Sequence, residues 1–151
     1  MTRINVGIKP KQLTDEHLLA EHREIKRLPA FFKKRLEKGK FDDIPDKFTL
    51  GEGHMCFFLD KPFLTYMRYM YLWWECIDRH FLPTDYRRNW DIYDEGMGVC
   101  AKYHNDYVPT TEDIYLIKER ITERITNSPK KVWHYYGKPI SKEEAIKLLY
   151  K

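Results

Sequence analysis

Residues 61–81 read KPFLTYMRYMYLWWECIDRHF, and their reading decides the fold. Pro62 suits the first turn of a helix, where its missing N–H goes unused. Apolar and aromatic residues then fall on most sides of a 3.6-residue repeat, the pattern of a buried central helix. The wider apolar stretch from Met55 to Ile77 is interrupted by Asp60, Lys61 and Arg68. That marks a core helix and not a membrane span.

Upstream, Thr14 stands where an N-cap belongs, with Asp15 and Glu16 favouring the helix dipole in the first turn. Leu18, Ile25, Phe32 and Leu36 carry a helix from there to about Gly39, with Pro29 placed to kink it. Residues 2–13 read as an extended arm, and 40–54 as a loop with Pro45, Gly51 and Gly53. Downstream, residues 82–109 show little periodicity. A third helix starts near Thr110 or Thr111, carries Ile114, Ile117, Ile121 and Ile125, and ends before Pro129. The segment KKVWHYYGKPI reads as strand-less. The tail, residues 141–151, opens on a capping box of Ser141 and Glu144 and can form a short fourth helix. The expectation is an all-α, single compact domain of three main helices, with long loops and an extended N-terminal arm.

The totals agree with one domain. A chain of 151 residues buries roughly 70% of its unfolded surface. A hydrophobic share of 42% and an aromatic share of 15% exclude a disordered chain and leave rings beyond core needs. The net charge of +4 permits nucleic-acid binding without demanding it. Cys56, Cys76 and Cys100 are odd in number and lack ligand spacing, so free thiols in a reducing compartment are expected, with no zinc site. The first dozen residues contain no apolar run of a signal peptide, so a cytoplasmic protein is expected.

Four features can carry chemistry. Thr2 is small enough for Met1 to be removed, which would expose a Thr α-amine. Such an amine has an ordinary pKa of about 7.7–8.0, well below that of lysine, and can form Schiff bases. Arg3 beside it would lower that value further. Taken alone, Thr2 is an ordinary chain start. Second, His17, Glu21 and Glu24 share one helical face, and Arg23 and Arg27 lie four apart on the adjacent one. This is either a solvated ion-pair face or a carboxylate set in a phosphate-gripping surface. Third, Arg120 and Arg124 form a basic stripe on the third helix, interleaved with Glu119 and Glu123. Fourth, Trp133, Tyr135 and Tyr136 lie among Lys130, Lys131 and Lys138. Rings between cations suit base stacking and phosphate pairing, or pack as core. Walker, GxGxxG, HExxH and nucleophile-elbow motifs are missing from the sequence.

In order along the chain stand Met1-Thr2-Arg3-Ile4-Asn5; His17-Leu18 with Ala20-Glu21 and Arg23-Glu24; Leu50-Gly51-Glu52-Gly53-His54 with Phe57-Phe58 and Asp60-Lys61; Asp106-Tyr107-Val108-Pro109; and Tyr135-Tyr136-Gly137-Lys138. In these motifs the chain resembles the pyrimidine-dimer DNA glycosylases of the T-even phage endonuclease V type, from Met1 to about Ile140. Residues 82–102 match little, and the tail after Ile140 is additional.

The resemblance implies a glycosylase and AP lyase acting on UV-induced cyclobutane pyrimidine dimers. Thr2 would supply the attacking amine and Glu24 the catalytic carboxylate. Arg3, Arg23 and Arg27 would clamp phosphates and substrate, with His17 close by. Arg120 and Arg124 would align with family cations. Trp133, Tyr135, Tyr136 and Lys138 would belong to the lesion-recognising segment. The implied partner is double-stranded DNA containing damaged pyrimidines, bound by a monomer without membrane, metal or cofactor. Two other readings stay open: the same chemistry on another damaged or modified pyrimidine, and a catalytically inactive DNA-binding module.

Overall fold

The computed structural model describes residues 3–39, 41–95 and 105–151. They are mostly helical, with one small antiparallel hairpin. The elements are a 3-10 turn at Pro10–Gln12, α1 (Asp15–Ile25), α2 (Arg27–Lys38), α3 (His54–Phe57), α4 (Pro62–Asp78), a 3-10 turn at Arg87–Trp90, α5 (Asp91–Glu95), α6 (Thr111–Asn127), β1 (Trp133–Tyr135), β2 (Lys138–Ile140) and α7 (Lys142–Leu148). Among the described residues, no helix is long and apolar enough to cross a membrane.

The chain divides into two compact units. The first takes Arg3, Arg23–Met70 and described parts of Thr84–Val108. The second takes Ile4–His22, Tyr71–Pro83 and Pro109–Lys151. Helices α1 and α4 each contribute residues to both.

In the first unit, Phe32 packs on Phe41 and on Tyr93 at ring-centroid distances of 5.3 and 4.3 Å. The long helix expected from Thr14 to Gly39 is broken at Lys26, ahead of Pro29 and not at it. Pro29 has no N–H for the Ile25 carbonyl, and its ring would clash there. Restarting at Arg27 puts Pro29 in the first turn of α2, where neither matters. Gly39 ends α2 in the left-handed region, φ 63°, as its position predicted. The loop-like stretch from residue 82 is in part helical, since it holds the turn at Arg87–Trp90 and α5.

The second unit is built on the arm. Ile4, Val6 and Ile8 are buried in it, so the arm is core and not periphery. Gly7 sits at φ 85°, and a Cβ there would lie 2.7 Å from Cγ1 of Ile114, so only glycine fits. Ile117, Ile121 and Ile125 form the buried stripe of α6, which Thr110 and Asp113 cap reciprocally.

Two expectations need correction. Helix α4 is not buried all round: Tyr71, Trp74 and Ile77 stay exposed, while Tyr69, Leu72 and Cys76 are buried. The segment after Pro129 is not strand-less. Trp133 pairs with Ile140, His134 with Pro139 and Tyr135 with Lys138. Tyr136 and Gly137 turn the hairpin with φ of 52° and 76°, the two positive values that a tight two-residue turn requires. The tail docks as α7, capped by Ser141, with Ala145, Leu148 and Leu149 buried. Gln12 Nε2 donates to the Leu149 carbonyl at 2.9 Å.

Candidate active site

The residues expected to act are divided between the units. In the first lie Arg3, Arg23, Glu24 and Arg27. Thr2, the expected nucleophile, lies outside the described residues. The next residue, Arg3, is half-buried, and its Nε is shielded from solvent with no hydrogen-bond partner. Glu24 is in the last turn of α1 and half-exposed. Among the described residues it has no hydrogen bond and no ion pair. Arg23 and Arg27, on either side of it in sequence, are exposed. Lys26, in the break between α1 and α2, places Nζ 4.2 Å from the centroid of the Tyr86 ring. Hydrogen bonds from Lys26 and Thr84, with the charges of Lys26 and Arg23, hold the Tyr86 phenol below its ordinary pKa. Sequence spacing gave no hint of the Lys26–Tyr86 contact.

In the second unit, Thr14 caps α1 by accepting from the His17 backbone N–H at 3.2 Å. Its hydroxyl also shares a 2.8 Å hydrogen bond with His17 Nδ1. The imidazole stacks on the Trp133 indole, with centroids 5.1 Å apart and planes 8° from parallel. Burial lowers the His17 pKa, and the pull of Glu16 and Glu21 the other way does not overcome it. His17 is therefore a neutral ring near pH 7.

Trp133 is itself only 7% exposed. The expectation that it stacks on bases is corrected here, because its face is taken by His17. Tyr135 and Tyr136 both lie against Arg79, with its guanidinium 4.8 and 4.6 Å from their ring centroids. Tyr136 remains 40% exposed, and Lys138 on β2 is exposed.

Arg79 was not expected and organises this unit. Its buried guanidinium donates to Asp15 and Glu75, both at 2.9 Å, and to the carbonyls of Leu13 and Pro10. Asp15 also accepts the backbone N–H groups of Tyr136 and Gly137, at 3.1 and 2.8 Å. The Tyr136 hydroxyl donates to Glu75 at 2.6 Å. Burial, then Glu75, pushes the Tyr136 phenol up to about 12. Glu16 accepts from Lys130 Nζ at 2.6 Å and from the His134 backbone at 3.1 Å, and pairs with the His134 ring at 2.8 Å. Burial alone would raise the Glu16 carboxyl, but the bonds from Lys130 and His134 outweigh it and hold the value at about 2.

Glu21 is buried and accepts from Asn5 Nδ2 at 2.6 Å. Asn5 Oδ1 in turn accepts from Arg120 Nη2 at 3.3 Å. Arg120 keeps Nε and Nη1 shielded from solvent with no partner. Burial lowers its pKa and the Glu21 charge offsets part of that. Arg124, one turn on, is exposed. The helical face of His17, Glu21 and Glu24 was visible in the sequence, but the Asn5 partner, sixteen residues away, was not.

Cys56 and Cys76 are free thiols, and burial pushes Cys76 up to about 11. Cys100 lies outside the described residues. Among the described residues, no group of three or more His, Cys, Asp or Glu side chains is set to hold a metal ion. No protein-family model matches the chain.

Proposed function

We propose that this protein is a DNA glycosylase and AP lyase for UV-induced cyclobutane pyrimidine dimers, working as a cytoplasmic monomer on double-stranded DNA. One observation carries the reading. Glu24 is a half-exposed carboxylate, unengaged among the described residues, on a helix whose other acids, Asp15, Glu16 and Glu21, all have partners. An acid with no hydrogen bond or ion pair among the described residues, beside exposed Arg23 and Arg27, suits an acid kept for a substrate. The family resemblance of the opening Met1–Asn5 and of the His17–Glu24 segment supports the same assignment.

The chemistry follows from the groups. With Met1 removed, the Thr2 α-amine attacks C1′ of the damaged nucleotide. The glycosidic bond breaks and the base leaves with its electron pair. The added amine loses one proton, the C1′–O4′ bond opens with O4′ taking a proton to become a hydroxyl, and the nitrogen lone pair forms the C1′=N bond of a protonated protein–sugar imine. The protonated imine acidifies the C2′ hydrogen, and the Glu24 carboxylate takes that proton. β-Elimination expels the 3′ phosphate, and water then hydrolyses the imine to free the amine. The Glu24 charge also stabilises the oxocarbenium-like sugar during base release. Arg3, Arg23, Arg27, Arg120 and Arg124 supply cations for backbone phosphates. Arg23, Arg27 and Arg124 are exposed and can reach a phosphate directly.

The deciding experiment incubates protein that begins at Thr2 with UV-irradiated duplex and with abasic duplex, in EDTA, and adds borohydride to trap an imine. A covalent complex on both substrates is the expected result. Trapping on abasic DNA alone moves the substrate to another damaged pyrimidine. No trapping on either refutes the amine chemistry and leaves a DNA-binding module.

A further inference from the structure

A cavity of about 570 Å³ opens in the first unit, between the start of α4 and the Arg87–Glu95 segment. That volume lies within the range of small-molecule sites. Phe63, Tyr66, Trp90 and Tyr93 line it with aromatic surface, and Asp91 and Asp94 line it with carboxylates. Nothing in the proposed reaction uses it. We propose that this cavity binds a small organic cation, an alkylammonium of the polyamine kind.

Charge and hydrogen-bonding capacity decide the class of ligand. Of the three lining aspartates, Asp85 is already neutralised. Arg87 grips both of its oxygens at distances of 2.7–3.1 Å. Asp91 and Asp94 have no ion pair among the described residues. Set against them is one further lining cation, Arg88. Two open carboxylates against one guanidinium favour a cation over a phosphate or a carboxylate ligand.

The remaining polar groups point the same way. The Trp90 indole N–H is already given to Thr65 Oγ at 3.1 Å, so its ring offers the cavity no donor. Tyr93 is 3% exposed, and its hydroxyl has no hydrogen-bond partner. Burial raises its pKa, so it stays a neutral hydroxyl able to accept. An ammonium brings N–H donors to the acceptor-only carboxylates of Asp91 and Asp94, and the Tyr93 hydroxyl can accept from it as well. Aromatic faces attract the same charge through their quadrupoles, and they cover the methylenes of an alkyl chain. Phe63, 72% exposed at the first turn of α4, stands as an unburied ring at the cavity wall.

The test titrates the full-length protein with spermidine and putrescine, and separately with magnesium chloride, inorganic phosphate and adenosine, and follows side-chain and amide NMR signals. Saturable shifts with spermidine are expected at Phe63, Tyr66 and residues 87–94. Asp94→Asn and Phe63→Ala change exposed side chains and should each weaken binding by about tenfold or more. A circular dichroism spectrum confirms that each variant is folded. The proposal is overturned by shifts that do not saturate, by displacement with magnesium at equal ionic strength, by tighter binding of phosphate or adenosine, or by unchanged affinity in the Asp94→Asn protein. No DNA enters the test, so its outcome is independent of the glycosylase reading.

Discussion

The two ends of α1 carry the same residue types and use them in opposite ways. At the first turn, Asp15 and Glu16 are saturated. Asp15 takes Arg79 and two backbone amides of the hairpin turn, and Glu16 takes Lys130 and His134. At the last turn, Glu24 has no partner among the described residues, and Arg23 beside it is exposed. Burial explains the contrast. A carboxylate shielded from water costs several kcal/mol unless it is paired, so Asp15 must be matched for the hairpin to dock at all. Glu24 is half-exposed, and water meets its needs. The acids that hold the fold are thus told from the unpaired one by what each touches.

The sharpest way to break this contrast is Glu24→Gln. Base release from UV-irradiated duplex should fall by about 10²–10⁴-fold, the usual worth of a positioned acid or base. Its unfolding free energy should stay within about 0.5 kcal/mol of the parent, as for a surface change without lost contacts. A variant that cleaves at the parental rate, or one that unfolds early, would place Glu24 with the structural acids.

The next largest effect belongs to the other end. Arg79→Met leaves Asp15 and Glu75 buried without their guanidinium, so urea unfolding should show a loss of about 3–5 kcal/mol. A change below about 1 kcal/mol would mean that the network is no stronger than a surface pair.

A smaller effect is expected from acid. The folded Glu16 carboxyl is held near 2 against an ordinary 4.5. Its contribution is complete above about 4.5 and is lost as pH falls toward about 2. Glu16→Gln should therefore be less stable than the parent at pH 7, with the gap closing across that window. A gap independent of pH would show that Glu16 acts by packing alone.

Local features of the fold were legible in the sequence. The caps at Thr14, Thr110 and Ser141 formed where their residue types placed them, because a cap is completed within a single turn. Ile117, Ile121 and Ile125 of α6 are buried at the spacing that announced them. The hairpin was not legible, because its three-residue strands are too short to show alternation.

For the site, the sequence presented Glu24 between Arg23 and Arg27, a charge pattern that by itself favours a solvated ion-pair face over a working acid. The structure adds that Glu24 has no hydrogen bond or ion pair among the described residues, which no spacing rule reports.

The caps, the Gly39 stop and the buried stripe of α6 lay within the sequence, because propensity, periodicity and capping act over a few residues; the break at Lys26 and the short helices α3 and α5 did not show in it. Only the tertiary structure decided that the arm is core, that Trp133 is covered by His17, and that Arg79 joins Asp15 to Glu75 beneath Tyr135 and Tyr136. Asp15 and Arg79 stand 64 positions apart, and Glu16 and His134 stand 118 apart. Pairs at such distances are chosen by which buried charges must be matched once the helices pack, and that choice is made in three dimensions.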